Sequence, residues 1–197
     1  MDDFFLTSDG ADWTMQRTTS RLILRKPKAE DLASLFAIYG DPATNLFNPA
    51  GPLTDIRQAE SLLDAWLSHW KDKGYGQWTI APRDSPGNVI GFGGIDVRKY
   101  LDVERLNLGY RFGVMSWGYG YATEISRAAL AYGFVELQVP HIFAVVRPNH
   151  LASIRILEKI GMQRIDTLDD VTGHSPSYVY RAIRPEAGVS DVQPLET

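Results

Sequence analysis

Residues 115 to 124 read MSWGYGYATE and set Gly118 and Gly120 between an apolar run and a segment with helical spacing. A glycine turn joining a strand to a helix aims free backbone N–H groups, and the positive end of the helix dipole, at one point, which suits a phosphate. Glycine leaves the space where an anion must approach the chain closely. Two familiar phosphate turns fail on spacing. The sequence contains no GxxxxGK[ST] string, so a P-loop is absent. A dinucleotide fingerprint needs a third glycine where Thr123 stands and an acid at the end of the next strand, where Arg147 stands, which disfavours a nicotinamide-dinucleotide oxidoreductase.

Working outward from the turn, the chain alternates strand-like and helix-like segments. Upstream, QWTIAPRD, VIGFGGIDVR and RLNLGYRFGV are three apolar stretches separated by turn residues, which predicts an antiparallel meander. Before them, Arg21 to Arg25 reads as a strand, and EDLASLFAIYGDP carries Leu32, Leu35, Phe36 and Tyr39 at helical spacing. A second helix places Ala59, Leu62, Leu63, Trp66 and Trp70 on one face and stops at Gly74. Downstream, YATEISRAALAYGFVEL is a helix, IFAVV a buried strand and LASIRILEKIG another helix; MQRID and SYVYRAI are final strands. The fold class is therefore α/β, a single domain with a mixed, largely antiparallel sheet flanked by helices. Residues 1–17 are expected to form a loose arm, 18–183 the domain and 184–197 a frayed tail.

Composition narrows the function classes. A net charge of -4 lacks the basic footprint of a nucleic-acid binder, so DNA and RNA are not expected partners. With no cysteine, disulfides, thiolate nucleophiles and zinc–thiolate sites are all excluded, and no metal is expected. The acidic start MDDFFLTSDGADW does not resemble a signal peptide, and no apolar run approaches the roughly 18 residues of a membrane span. A cytoplasmic protein with no membrane partner is the expectation.

Several segments in one order resemble the GNAT superfamily of N-acetyltransferases: TSRLILRKPKAEDLASLFAIYGDP, GYGQWTI, VIGFGGI, LGYRF, WGYGYATE and ASIRILEKIGM, over about residues 18 to 183. Tryptophan at the head of the glycine loop is similar to the branch that includes the ribosomal-protein N-terminal (alanine/serine) acetyltransferases. The resemblance implies acetyl-CoA as cofactor, released as coenzyme A. Trp117, Gly118, Tyr119, Gly120, Tyr121, Ala122 and Thr123 would form the pyrophosphate loop. The backbones of Tyr110 and Phe112 would pair with the pantetheine arm like an added strand, while their side chains are expected to pack in the core.

The family's second cofactor element corresponds to PNHLASIRILEK, where alignment on Ala152 and Ser153 puts His150, not Asn149, at the usual asparagine; either residue could make that contact. Ser153 reads equally as a cofactor contact or as a helix N-cap. The family's tyrosine acid is replaced by Leu157 and its glutamate base by Asn107. Asp96, Glu104, Ser153 and His150 remain as catalytic candidates. The implied reaction is direct attack of a primary amine, from a protein N-terminus or a small molecule, on acetyl-CoA in a ternary complex. A catalytically silent acyl-CoA-binding sensor is the other reading, and a homodimer stays open.

Overall fold

A computed structural model describes residues 16–185. Its order is β1 (Arg17–Thr18), β2 (Leu22–Arg25), α1 (Leu32–Gly40), α2 (Ile56–Lys73), β3 (Gln77–Pro82), β4 (Gly91–Tyr100), β5 (Val103–Phe112), α3 (Tyr121–Ala131), β6 (His141–Val146), α4 (Leu151–Lys159), β7 (Gln163–Leu168) and β8 (Ser177–Ile183). The eight strands form one sheet in the order β1-β2-β3-β4-β5-β6-β8-β7. Every neighbouring pair is antiparallel except β5 and β6, which are parallel. Most of the expected arm and tail lies outside the described residues. Arg17, assigned to the arm, belongs instead to β1, where it faces Leu24, because its guanidinium pairs with Glu136 and lies over the Tyr132 ring.

Strand alternation separates the two faces of the sheet. On one face, Phe92 of β4 packs with Leu35 and Ile38 of α1 and Ala59 and Leu63 of α2. On the other, Ile95, Leu108 and Phe112 pack with Ile125 and Ala129 of α3 and Leu157 of α4. Trp78 and Trp70 are core residues at 0% and 3% exposure, and Trp66 packs edgewise on Tyr39, so these tryptophans are committed to packing. Helix α2 stops where expected, with Gly74 left-handed at φ 75° and its N–H bonded to Trp70 O.

The helix read as continuous over 121–137 changes hand-hold near its end: residues 132–136 form a wide π turn. The cause is the approach of the sheet, since a Cβ on Gly133 would sit 2.5 Å from Ile142 Cδ1 and 2.9 Å from Ile95 Cδ1. Only glycine lets that turn lie on β4 and β6.

The feature that positions the site is the divergence of the two parallel strands. β5 and β6 share a single paired position, Asn107 with Phe143. β5 continues to Phe112, paired with β4 throughout but not with β6. Gly113 N–H donates to Ile90 O on the β4 side, so alternation turns the amide groups of Tyr110 and Phe112 to the opposite, unpaired edge.

Candidate functional site

The glycine turn lies at the end of that unpaired edge. Gly118 and Gly120 are both left-handed, with φ 82° and 79°, and Gly120 caps α3 without any side-chain hydrogen bond. The first amide that turns back into the helix is Glu124 N–H, bonded to Gly120 O at 3.1 Å. The amides of Tyr121, Ala122 and Thr123 are left without an intrahelical acceptor. No atom lies within 4 Å of the position a Gly118 Cβ would take, and only Arg21 Nη2, at 3.7 Å, lies near that of Gly120. Open space, unpaired donors and a helix N-terminus fit a diphosphate.

Two ties hold this turn in place. Trp117 donates its indole N–H to Phe112 O at 3.0 Å, joining the loop to the last residue of β5. Arg21 donates to Tyr119 O at 2.8 Å and pairs with Glu124 at 2.6 Å. Glu124 also accepts from Thr19 and Ser20 hydroxyls and from Arg21 N–H. Burial pushes the Glu124 carboxyl up, but these donors outweigh it and hold the group below its ordinary range. The Tyr119 and Tyr121 rings of the loop stack at 5.6 Å with an angle of 13°.

Across the diverging strands, α4 contributes a second group. Tyr110 OH lies 3.4 Å from Ser153 Oγ, which lies 3.3 Å from His150 Nε2. The His150 ring is stacked on Phe47 at 4.1 Å and 14°. His150, not Ser153, occupies the N-cap position of α4, and no side chain caps the helix. The capping reading of Ser153 is thus corrected: its hydroxyl bridges β5 and the helix start. Asn149 is exposed and His150 half-buried. Burial pushes His150 down and Tyr110 up to about 12, which keeps the imidazole neutral and the phenol protonated. Leu157, at the position of the usual acid, is buried in the core at 3% exposure.

A third group lies on the opposite face of the sheet. Asp96 stands directly across the β4–β5 ladder from Asn107. Its carboxylate accepts from Gln77 Nε2 at 2.9 Å, and Asn107 Oδ1 accepts from Tyr100 OH at 2.7 Å. Gly109 follows two residues later, and a Cβ there would meet Asn107 Nδ2 at 3.6 Å and Gln77 Nε2 at 3.8 Å. The missing glycine side chain leaves a notch walled by amides beside the carboxylate. Burial pushes the Asp96 carboxyl up, against the Gln77 hydrogen bond and the nearby His69 and Arg98 charges. Glu104 is not part of this group. It is exposed beside the β4–β5 turn, opposite Lys99 and eight residues from Phe112, about 26 Å along the strand.

The chain is similar to known acetyltransferases in sequence and in fold. The sequence model described as acetyltransferase (GNAT) domain matches residues 21–163. The chain is 36% identical over 153 residues to the uncharacterized protein YkkB of Bacillus subtilis, covering 76% of this chain and 86% of that protein. It is 30% identical over 154 residues to the uncharacterized N-acetyltransferase p20 of Bacillus licheniformis, covering 77% and 84%. A GNAT-family acetyltransferase structure from Bacillus anthracis superposes with a TM-score of 0.71 at 24% identity, covering 87% of this chain and all of that one. A ribosomal-protein-serine acetyltransferase-like structure from Vibrio cholerae gives 0.68 at 18% identity, over 86% and 97%. The chain belongs to the GNAT family of acetyltransferases. Among the described residues no helix is long and apolar enough to cross a membrane, and no cluster of His, Cys, Asp or Glu could hold a metal.

Proposed function

We propose that the protein moves an acetyl group from acetyl-CoA to a primary amine by direct attack in a ternary complex. The observation that carries this is the continuity of the site: two left-handed glycines and the free amides of α3 follow immediately from a strand whose edge is unpaired beyond Asn107. The loop amides from Gly118 to Thr123 hold the pyrophosphate, and the Tyr110 and Phe112 amide groups on the open edge align the pantetheine arm. Phe112 C=O is already bonded to Trp117, which leaves its N–H for the ligand.

Bound acetyl-CoA supplies an activated acetyl thioester. Asp96 accepts the proton that the acceptor ammonium must lose before its lone pair can attack, and burial, which raises its affinity for protons, makes it a stronger base than an exposed carboxylate. It takes over the role that the family glutamate would have had at position 107, from the paired position on the neighbouring strand. An edge N–H of β5 donates to the oxygen that gains charge. Tyr110, whose single O–H donates to Ser153 Oγ here, turns that proton to the departing sulfur and so replaces the acid lost at Leu157.

The test is acetyl-CoA with a panel of peptides, amino acids, polyamines and amino sugars, following thiol release and product mass. Acceptor-dependent thiol release, rising with pH as the amine loses its proton, is the expected result. Tight acetyl-CoA binding without thiol release across the panel would leave the sensor reading in its place.

A further inference from the structure

Arg111 is not used by the chemistry above, and its surroundings are unusual for a cation. It lies on β5 between Tyr110 and Phe112, with its side chain on the same face of the sheet as Asp96, Asn107 and Gly109. The guanidinium is centred 4.2 Å over the Tyr39 ring and donates through Nη1 to Asn45 Oδ1. Asn45 is 5% exposed and its own amide is fixed by Tyr39 O and Asp41 O, each at 2.8 Å. That network settles which way Asn45 Oδ1 points. Arg17, Arg21, Arg25, Arg57, Arg98 and Arg147 pair with carboxylates; Arg111, half-buried like Arg105 and Arg181, pairs with none among the described residues.

We propose that the acceptor is an amine that also carries a carboxylate, and that Arg111, set by Asn45 over Tyr39, binds that carboxylate. This rests on the acetyl-transfer reading above and names the substrate class of the same site. A guanidinium has five N–H donors in a planar fork, and the Asn45 bond occupies one of them. The remaining fork matches a carboxylate in two parallel hydrogen bonds. Burial without a counter-ion disfavours the charged form of Arg111, and an incoming anion relieves that cost.

The geometry also gives the acceptor its direction. Arg111, over the Tyr39 ring, and Asp96 lie on the same face of the sheet, the one that α1 and α2 cover. Asn107, opposite Asp96, is four residues from Arg111, about 13 Å along the strand before either side chain leans inward. Gly109, between them on the strand, carries no side chain, and the Asn107 and Gln77 amides lie 3.6 and 3.8 Å from where its Cβ would be. An ammonium at Asp96 and a carboxylate at Arg111 thus meet opposite charges on one face of the sheet.

The experiment uses matched probes: amino acids and ω-amino acids of increasing chain length, each beside its carboxamide. Binding to the full chain saturated with coenzyme A is read by calorimetry, and turnover with acetyl-CoA by thiol release. The carboxylate member of a pair should bind and turn over at least tenfold better, and the best ω-amino acid length reports the separation of the two charges. Arg111→Met should cut the carboxylate-to-carboxamide ratio of kcat/KM by about ten- to a hundredfold, and Arg111→Lys by less, since it keeps the charge but not the fork. Melting curves and acetyl-CoA affinity of both variants show that the fold and the loop are intact. Carboxylate-selective binding without any thiol release supports the assignment of Arg111 and sinks the transfer reading. Thiol release with equal use of both members, or an unchanged ratio in Arg111→Met, overturns the assignment and leaves the transfer reading standing.

Discussion

Trp117 reaches back five residues and donates its indole N–H to Phe112 O at 3.0 Å, so the residue that opens the glycine turn also closes the end of the strand before it. Trp117→Phe keeps the ring and removes the donor. A neutral hydrogen bond of this kind contributes about 1 kcal/mol. Acetyl-CoA affinity measured by calorimetry should fall roughly tenfold and the melting temperature by a few degrees. Unchanged affinity would show that the loop keeps its shape without the tie.

The two glycines make a sharper case. A Cβ at Gly120 has room, the nearest atom being Arg21 Nη2 at 3.7 Å, so the cost of Gly120→Val is conformational: φ 79° is a region that β-branched residues avoid. That strain is about 1 to 3 kcal/mol, which a domain of ordinary stability survives. The branched side chain stands in the space that the diphosphate needs. Thermal melts should show a folded protein, while calorimetry detects no acetyl-CoA binding. Wild-type affinity in this variant would make the turn purely architectural.

Much of this was legible in the sequence, and the part that was not has a physical reason. The glycine turn, the Gly74 stop and the final strand over 177–183 all depend on local rules of backbone conformation and side-chain alternation, which a single segment carries. The pairing of Asp96 with Asn107 depends on the register of two strands and cannot be read from either one. Asp96 was legible as a candidate, but its place opposite the substituted glutamate was not. The tie between Arg21 and Glu124 spans 103 residues and follows from where β2 lies on the sheet. The capping reading of Ser153 fails for a local reason: α4 begins at Leu151, with His150 as its N-cap and no capping hydrogen bond to mark it. Arg111 carries no motif signal at all, and its interest comes from the counter-ion it lacks.

Asp96 couples stability to chemistry in opposite directions. Burial raises its proton affinity in the folded state, so the charged form costs stability, and that cost sets in as pH rises through the raised folded value. Asp96→Asn keeps an oxygen for Gln77 Nε2 and removes the charge. At pH 7.5 the variant should melt above the wild type while turnover falls by about 10²- to 10⁴-fold, the range for losing a general base. The melting advantage should shrink as the pH is lowered and the wild-type carboxyl takes up its proton. Wild-type turnover in Asp96→Asn would assign the base elsewhere.

His150 gives the remaining prediction, and its sign is the reverse. Its folded proton affinity is lowered because burial, with the ring stacked on Phe47, disfavours the imidazolium. Above the unfolded value of about 6.5 the imidazole is neutral in both states and nothing is lost. As pH falls below that value the unfolded chain binds a proton that the folded chain refuses, so stability declines until the depressed folded value is passed. His150→Phe preserves a flat ring against Phe47 and cannot titrate. Melting temperatures from pH 8 to pH 5 should therefore fall more steeply for the wild type than for the variant, with the divergence starting near pH 6.5. The same variant removes the imidazole from the Tyr110–Ser153 chain, so turnover should fall at every pH while acetyl-CoA affinity changes less. Parallel melting profiles for the two proteins would mean that His150 reaches water in solution and that its stacking on Phe47 does not shield it.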